Sequence, residues 1–259
     1  MRVAASVRAS VVLHMLCLVR LLIILLGVWH PVAQAQPNGT SPEQLLRPAP
    51  SAAVLAGDPF EPVNRSIFDF NERVDRAVIR PLAEAFVETV PAPVRDGISN
   101  FLTNLDDAVS ALNHALQGKP VKAASSLARV VLNSTLGIAG LRDPATAMGF
   151  VHETEDLGQT LAVWGLPSGP YLVLPLLGPS TVRDVGARIA FLPYTPIRQI
   201  NPSELRYTLI ASGVLSARAE LLQASRAAQL VVFDRYLFVR DSFLQRRRSQ
   251  IYDGEPPDG

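Results

Sequence analysis

VRDGISNFLTNLDDAVSALNHALQ, residues 94–117, places Ile98, Phe101, Leu102, Leu105, Val109, Leu112 and Leu116 at steps of three and four. That spacing puts them along one face of an α-helix. Pro93 suits a first turn, where its missing N–H is not needed, and Gly118 suits the position after a helix end. Working outward, Lys119-Pro120 restarts the chain into a second helix near 121–134. On the N-terminal side, Asn64 can cap a helix reaching Ile79, with Pro81 as its break. Toward the C-terminus, 155–164 and 181–191 read as shorter helices. Residues 203–250 carry a long helical pattern broken once near 225–230. β-Branched alternation is scarce, so the reading is all-α, a single domain over 58–252.

The segments around that domain read differently. Residues 1–35 form a secretory signal: Arg20 precedes the apolar run Leu21–Trp29, and Ala33-Gln34-Ala35 is a small-residue cleavage site before Gln36. The rival is an uncleaved anchor, which Arg20 disfavours because a charge within the span is costly in lipid. Met15 opens a tidier signal and is an alternative start. Residues 36–57, rich in Pro, Ala, Ser and Gly, read as a flexible linker, and 253–259 as a disordered tail. Without residues 1–35 the chain has 21 basic against 23 acidic side chains, a balance of −2. That offers no general basic field for nucleic acid. Cys17 is the sole cysteine, and His14-Met15-Leu16 before it does not make a lipid-attachment site. Cleavage therefore leaves no disulfide and no thiolate.

GPYLVLPLLGP, residues 169–179, is apolar yet cut by Pro170, Pro175 and Pro179. Proline disrupts regular helix and central strand alike. As a helix, Leu172–Leu177 would cover only about 9 Å of a bilayer core of about 30 Å. The segment therefore cannot cross a membrane. It is expected to be irregular, either buried in protein, or set at a membrane boundary or along a cavity.

Catalytic signatures are missing. Beyond the signal only His114 and His152 remain, with no G-x-S-x-G, H-E-x-x-H or Walker loop. His152-Glu153-Thr154-Glu155-Asp156 could suggest a metal site, but adjacent helical residues face different ways. An acidic first turn at the helix over 155–164 is the simpler reading. No metal, cofactor or enzyme activity is expected. His114 reads as a hydrogen-bonded structural histidine. Asn71, Asn100, Asn104, Asn113 and Asn133 interrupt apolar faces. They either bond helix to helix or form a polar lining for an amphipathic ligand. Arg183-Asp184 suits a helix-start ion pair, with a lipid phosphate contact as the alternative. Within 231–250, Val232, Tyr236, Val239 and Phe243 make an apolar stripe beside Arg235, Arg240 and Arg246–Arg248. Such a helix either packs by its aromatic side or binds anionic lipid or an acidic partner.

Several blocks in this order carry a family resemblance. They are DPFEPVNRSIFDFNERVD (58–75), ISNFLTNLDD (98–107), ALQGKP (115–120), NSTLGIAGLRD (133–143), EDLGQTLAVWGLPSGPYLVLPLLGPSTVRD (155–184) and RYLFVRDSFLQRR (235–247). The chain resembles the MlaA/VacJ family of outer-membrane lipoproteins that maintain lipid asymmetry. The resemblance implies a ring-like helical domain in the plane of the inner leaflet, with an amphipathic central channel. It implies removal of phospholipid from the outer leaflet and transfer to a soluble periplasmic carrier, in company with a trimeric porin. Lipid-channel or membrane-boundary residues would then be Phe68, Phe70, Asn71, Gly169, Pro170, Tyr171, Leu172, Leu174, Pro175, Leu176, Leu177 and Gly178. Asp75 would help shape the ring. Head-group or partner contacts would be Arg183, Arg240, Arg246 and Arg247. The departure is the missing lipid-attachment cysteine. A soluble periplasmic lipid carrier and a structural or adhesion protein of the envelope are the alternatives.

Overall fold

The computed structural model describes residues 58–222 and 233–257. Among them the chain is mostly helical, with one two-stranded sheet. Helix α1 (Glu61–Val74) runs through a π-helical segment, Asp75–Ile79, into α2 (Arg80–Thr89). Asn64 is therefore a buried residue inside α1 and not its cap, and Pro81 does not end the helix. A π turn widens the backbone just before Pro81, which makes room for a ring that would clash in a regular turn.

The founding helix is α3 (Ala92–Leu116), which ends at Gly118 with φ +73°. It packs along α4 (Pro120–Thr135). A left-handed run follows at Ile138, Ala139 and Gly140. Gly137 is required here, because a Cβ would lie 2.3 Å from the carbonyl oxygens of Asn133 and Arg142. Short helices α5 (Pro144–Ala147) and α6 (Leu157–Val163) are capped by Asp143 and Asp156. Helix α7 (Val182–Phe191) is capped by Thr181. Helices α8 (Ser203–Glu220) and α9 (Arg235–Ile251) complete the described chain. The expected break near 225–230 lies outside the described residues, as do the signal and linker.

The segment 169–179 is not irregular. It forms a hairpin, β1 (Tyr171–Leu174) with β2 (Gly178–Thr181), antiparallel in the register Tyr171↔Thr181 and Val173↔Pro179. A two-stranded ribbon has two free edges, so a proline's missing N–H can face away from the partner strand. Leu176 (φ +63°) and Gly178 (φ +77°) close the turn. Asn64 and Asn71, two turns apart on α1, clamp this hairpin. Asn64 accepts from Val173 N (2.8 Å) and donates to Tyr171 O (3.1 Å). Asn71 accepts from Leu176 N (2.7 Å) and donates to Leu174 O (2.9 Å).

Among the described residues there are two small apolar clusters. Ala83, Phe86 and Leu215 join α2 to α8, and Tyr171, Val173 and Tyr236 join the hairpin to α9. Leu102, Val109, Ala145 and Ala187 are buried elsewhere, among a larger number of polar groups. Among the described residues, twenty polar or charged side chains are buried against ten apolar ones. This reverses the ordinary partition of a water-soluble domain.

Candidate functional site

The reversal centres on α3 and α4. Arg129, fully buried, donates from Nε to Asp107 Oδ2 (3.0 Å), from Nη2 to Asp143 Oδ2 (3.0 Å), and from Nη1 to Phe150 O (2.7 Å) and Thr146 Oγ1 (2.9 Å). Asp107 also meets His152 Nδ1 at 2.7 Å. Each nitrogen of the guanidinium has at least one acceptor, which a buried ion needs. Outward, α4 exposes Val121, Ala124, Leu127 and Val131, three or four residues apart and so on one face. The C-terminal end of α3 exposes Leu112 and Leu116. The left-handed loop exposes Leu136, Ile138 and Leu141. A β-branched residue at positive φ is strained. Ile138 adopts this φ and is turned outward.

The asparagines serve mainly as bonds between segments. Asn100 donates to Leu141 O (3.2 Å), Asn104 to Ser134 Oγ (3.0 Å), and Asn133 accepts from Ala145 N (3.1 Å). Asn113 donates to Val109 O (2.9 Å) and accepts from Thr160 Oγ1 (2.8 Å). His114 departs from expectation: it is fully buried, and neither ring nitrogen has a hydrogen-bond partner. Burial lowers its pKa. The residues at 152–156 do not converge. Glu153 pairs with Lys122 (2.8 Å), Glu155 accepts from Gln117 (2.7 Å), and Asp156 pairs with Arg247 (2.7 Å). Asp253, assigned to the tail, is held by Lys119 at 2.7 Å.

A cavity of about 220 Å³ opens between α3, α6, α7, α9 and the hairpin turn. Its apolar wall includes Leu177, Pro179, Phe191 and Phe243. Its polar wall is organised by Arg247. That side chain holds Asp184 through Nε (2.9 Å) and Nη2 (2.9 Å), and Asp156 through Nη1 and Nη2 (both 2.7 Å). Burial alone would raise the Asp156 carboxyl, but the Arg247 fork overrides it and holds the pKa below the usual range. Gly158 makes this packing fit: a Cβ there would meet Arg247 Nη2 and Asp184 Oδ1 at 2.5 Å. Asp106 and Glu155 also line the cavity, and burial raises each to about 7.

The residues expected at a channel or membrane boundary are divided. Leu177 lines the cavity. Tyr171 is buried core, and Phe68 meets the Tyr236 ring edge-on at 5.8 Å. Asn71 is a hairpin clamp. Phe70, Gly169, Pro170 and Pro175 are exposed, while Leu172, Leu174, Leu176 and Gly178 are half-buried. Of the four arginines named for head groups, three are taken. Arg183 pairs with Asp184 (3.2 Å), Arg240 with Asp241 (2.9 Å), and Arg247 with both aspartates. Asp75 holds Arg218 at 2.6 Å. Sequence reasoning missed Arg188, which lines the cavity, and Arg129, whose burial no local signal announced.

These features define a class: a mostly helical protein with a charged interior and apolar outer faces. Among the described residues, no helix is long and apolar enough to cross a membrane. A family model described as MlaA lipoprotein matches residues 56–250, and the chain belongs to that family. It is 35% identical over 204 residues to the "Intermembrane phospholipid transport system lipoprotein MlaA" of Escherichia coli K12, covering 76% of this chain and 80% of that protein. The Haemophilus influenzae protein of the same name is 30% identical over 207 residues, with 76% and 80% covered. A Rickettsia bellii protein without a described role is 32% identical over 196 residues, with 75% and 76% covered. A structure solved under the heading "Structural basis for maintenance of bacterial outer membrane lipid asymmetry" superposes with TM-score 0.67 at 34% identity. It covers 75% of this chain and 99% of that one.

Proposed function

We propose that this protein transports phospholipid at the outer membrane and so maintains lipid asymmetry. The observation that carries the reading is the reversed polarity of the α3–α4 pair. Arg129 and Asp107 lie inside, while Val121, Leu127, Val131 and Ile138 face outward. Exposed apolar faces are costly in water and favourable against acyl chains. The domain therefore lies in the inner leaflet, on the periplasmic side, without spanning the membrane. Phospholipids misplaced in the outer leaflet enter a polar-lined passage through the domain, and a soluble periplasmic carrier receives them. A trimeric porin is the membrane partner that holds the domain in place, which matters because Cys17 is a poor lipid-attachment site. No bond is made or broken in this process.

The test is a deletion strain complemented with this chain. Outer-leaflet phospholipid is expected to rise on deletion and to return to the parental level on complementation. An unchanged outer leaflet in the deletion strain contradicts the reading. Extraction at high salt separates it from a soluble carrier: apolar insertion resists salt, whereas electrostatic adsorption does not.

A further inference from the structure

The cavity beside Arg247 is lined by three arginines and four carboxylates, and its pairing is uneven. Asp106 and Glu155 are raised to about 7 by burial. Asp156 and Asp184 are taken by Arg247, and Asp184 also by Arg183. Arg188 on α7 and Arg246 on α9 line the same cavity, and neither makes a hydrogen bond or ion pair with a described residue. Arg188 is half-buried, whereas Arg246 is exposed at the rim. The same cavity is lined by Leu177 and Pro179 of the hairpin turn and by the rings of Phe191 and Phe243. The cavity thus joins two unpaired guanidiniums to an apolar wall.

We propose that this cavity is an anion site for a phosphate ester, with Arg188 and Arg246 as its cations and the Leu177–Phe243 wall receiving the start of an attached chain. A partly desolvated guanidinium without an acceptor is unfavourable, and a phosphate oxygen supplies the acceptor. Burial lowers the pKa of Arg188 even though Asp156 and Asp184 act against it through space, so Arg188 lies near those carboxylates without bonding to either. The volume of about 220 Å³ lies below the range of roughly 300–1,000 Å³ for sites enclosing drug-sized ligands. It suits a phosphate with its neighbouring glycerol, and not a whole lipid with two acyl chains. Within the transport reading, on which the lipid source of the phosphate rests, this cavity grips the head group. The chemistry is shared by free phosphate, which the test separates.

The test uses the full chain in detergent with three probes: dihexanoyl phosphatidylglycerol, dihexanoylglycerol without phosphate, and inorganic phosphate. Each is titrated by calorimetry against wild type, Arg188→Gln and Arg246→Gln, with helical content and Tm as folding controls. Losing one charge-assisted contact should weaken the phospholipid Kd roughly ten- to a hundredfold in each variant. Lysine at either position should restore part of the loss, since it retains the charge. Phospholipid binding tighter than inorganic phosphate binding assigns the lipid head group as the source, and equal binding assigns free phosphate. Wild-type affinity in both glutamine variants, or equal wild-type affinity for the phosphate-free diacylglycerol, overturns the proposal. Complementation of the deletion strain by wild type separates the two claims. If wild type restores asymmetry while the variants bind normally, the anion site fails and transport stands. If wild type does not restore asymmetry, the transport reading fails whatever the titrations show.

Discussion

The α3–α4 pair buries Arg129, Asp107 and His114 and turns Leu112, Val121, Leu127 and Val131 outward. The hairpin with α1 and α9 does the opposite, burying Tyr171, Val173 and Tyr236. Between α1 and α9 the ions lie at the edge, where Arg65 pairs with Asp234 (2.9 Å) and Arg235 with Glu72, while Arg247 is enclosed at the other end of α9. The second region is packed as in a water-soluble protein. The first relies on an ion network, because many of its apolar residues face outward and only a few, Leu102 and Val109 among them, are buried. The contrast shows that helical amphipathicity fixes which residues share a face but not which face is inside. That choice depends on the solvent, and in the transport reading proposed above α3–α4 faces an apolar one.

The largest effect should come from opening the network in α3–α4. Arg129→Met leaves Asp107 and Asp143 without their shared cation, a loss of about 3–5 kcal/mol typical of a broken buried pair. The expected readout is a sharp fall in Tm and in the yield of folded protein. Adding Asp107→Asn should recover part of the loss, because it removes one unpaired charge. A single variant with unchanged Tm would place the network outside the stabilising core. In the hairpin region, Asn64→Ala removes bonds to Tyr171 O and Val173 N. It should cost less, about 1–3 kcal/mol by chemical denaturation, the penalty for stranded buried backbone groups. If Asn64→Ala costs more than Arg129→Met, the contrast between the two regions is reversed.

A smaller effect concerns pH. Burial raises Asp106 and Glu155 to about 7, so between their ordinary values and about 7 the folded state binds protons that the unfolded state does not. Stability must therefore rise as pH falls through that window. His114, kept neutral by burial, acts in the opposite sense, but only below about 6.5 where the unfolded side chain protonates. Lowering pH from 8 to 6.5 should raise Tm by a few degrees, and Asp106→Asn should remove about half of that rise. A flat or falling Tm across this interval would remove the polar cavity wall from the stability account.

Much of the helical frame was legible. The steps of three and four in 94–117 and the caps around it located α3 to within two residues at each end. The prolines of 169–179 misled, because their cost applies to central strands and helices, whereas this is a two-stranded ribbon pinned by asparagine amides from α1. Those amides lie over a hundred residues away in sequence, so no local pattern reveals them. Asn64 was misread for the same reason: a polar residue near a helix start suggests a cap, and its actual partners are backbone groups of the hairpin. The run Arg246-Arg247-Arg248 looked uniformly basic, yet only folding separates Arg247, enclosed by two aspartates, from Arg246, which is left at the cavity rim. Arg129 carried no warning, since an arginine on an amphipathic helix normally marks the solvent side.

The central claim is that the outer faces beside α3 lie against acyl chains. Trp164 reports on this directly, for it is exposed beside Val163 and Leu166, and its Nε1 donates to Leu116 O (3.0 Å) at the end of α3. With Trp29→Phe it becomes the only tryptophan. Its fluorescence is to be measured in phospholipid vesicles with and without brominated acyl chains. The account predicts blue-shifted emission strongly quenched by the brominated lipid. Red-shifted emission unaffected by bromination would mean that this face meets water, and would contradict the account.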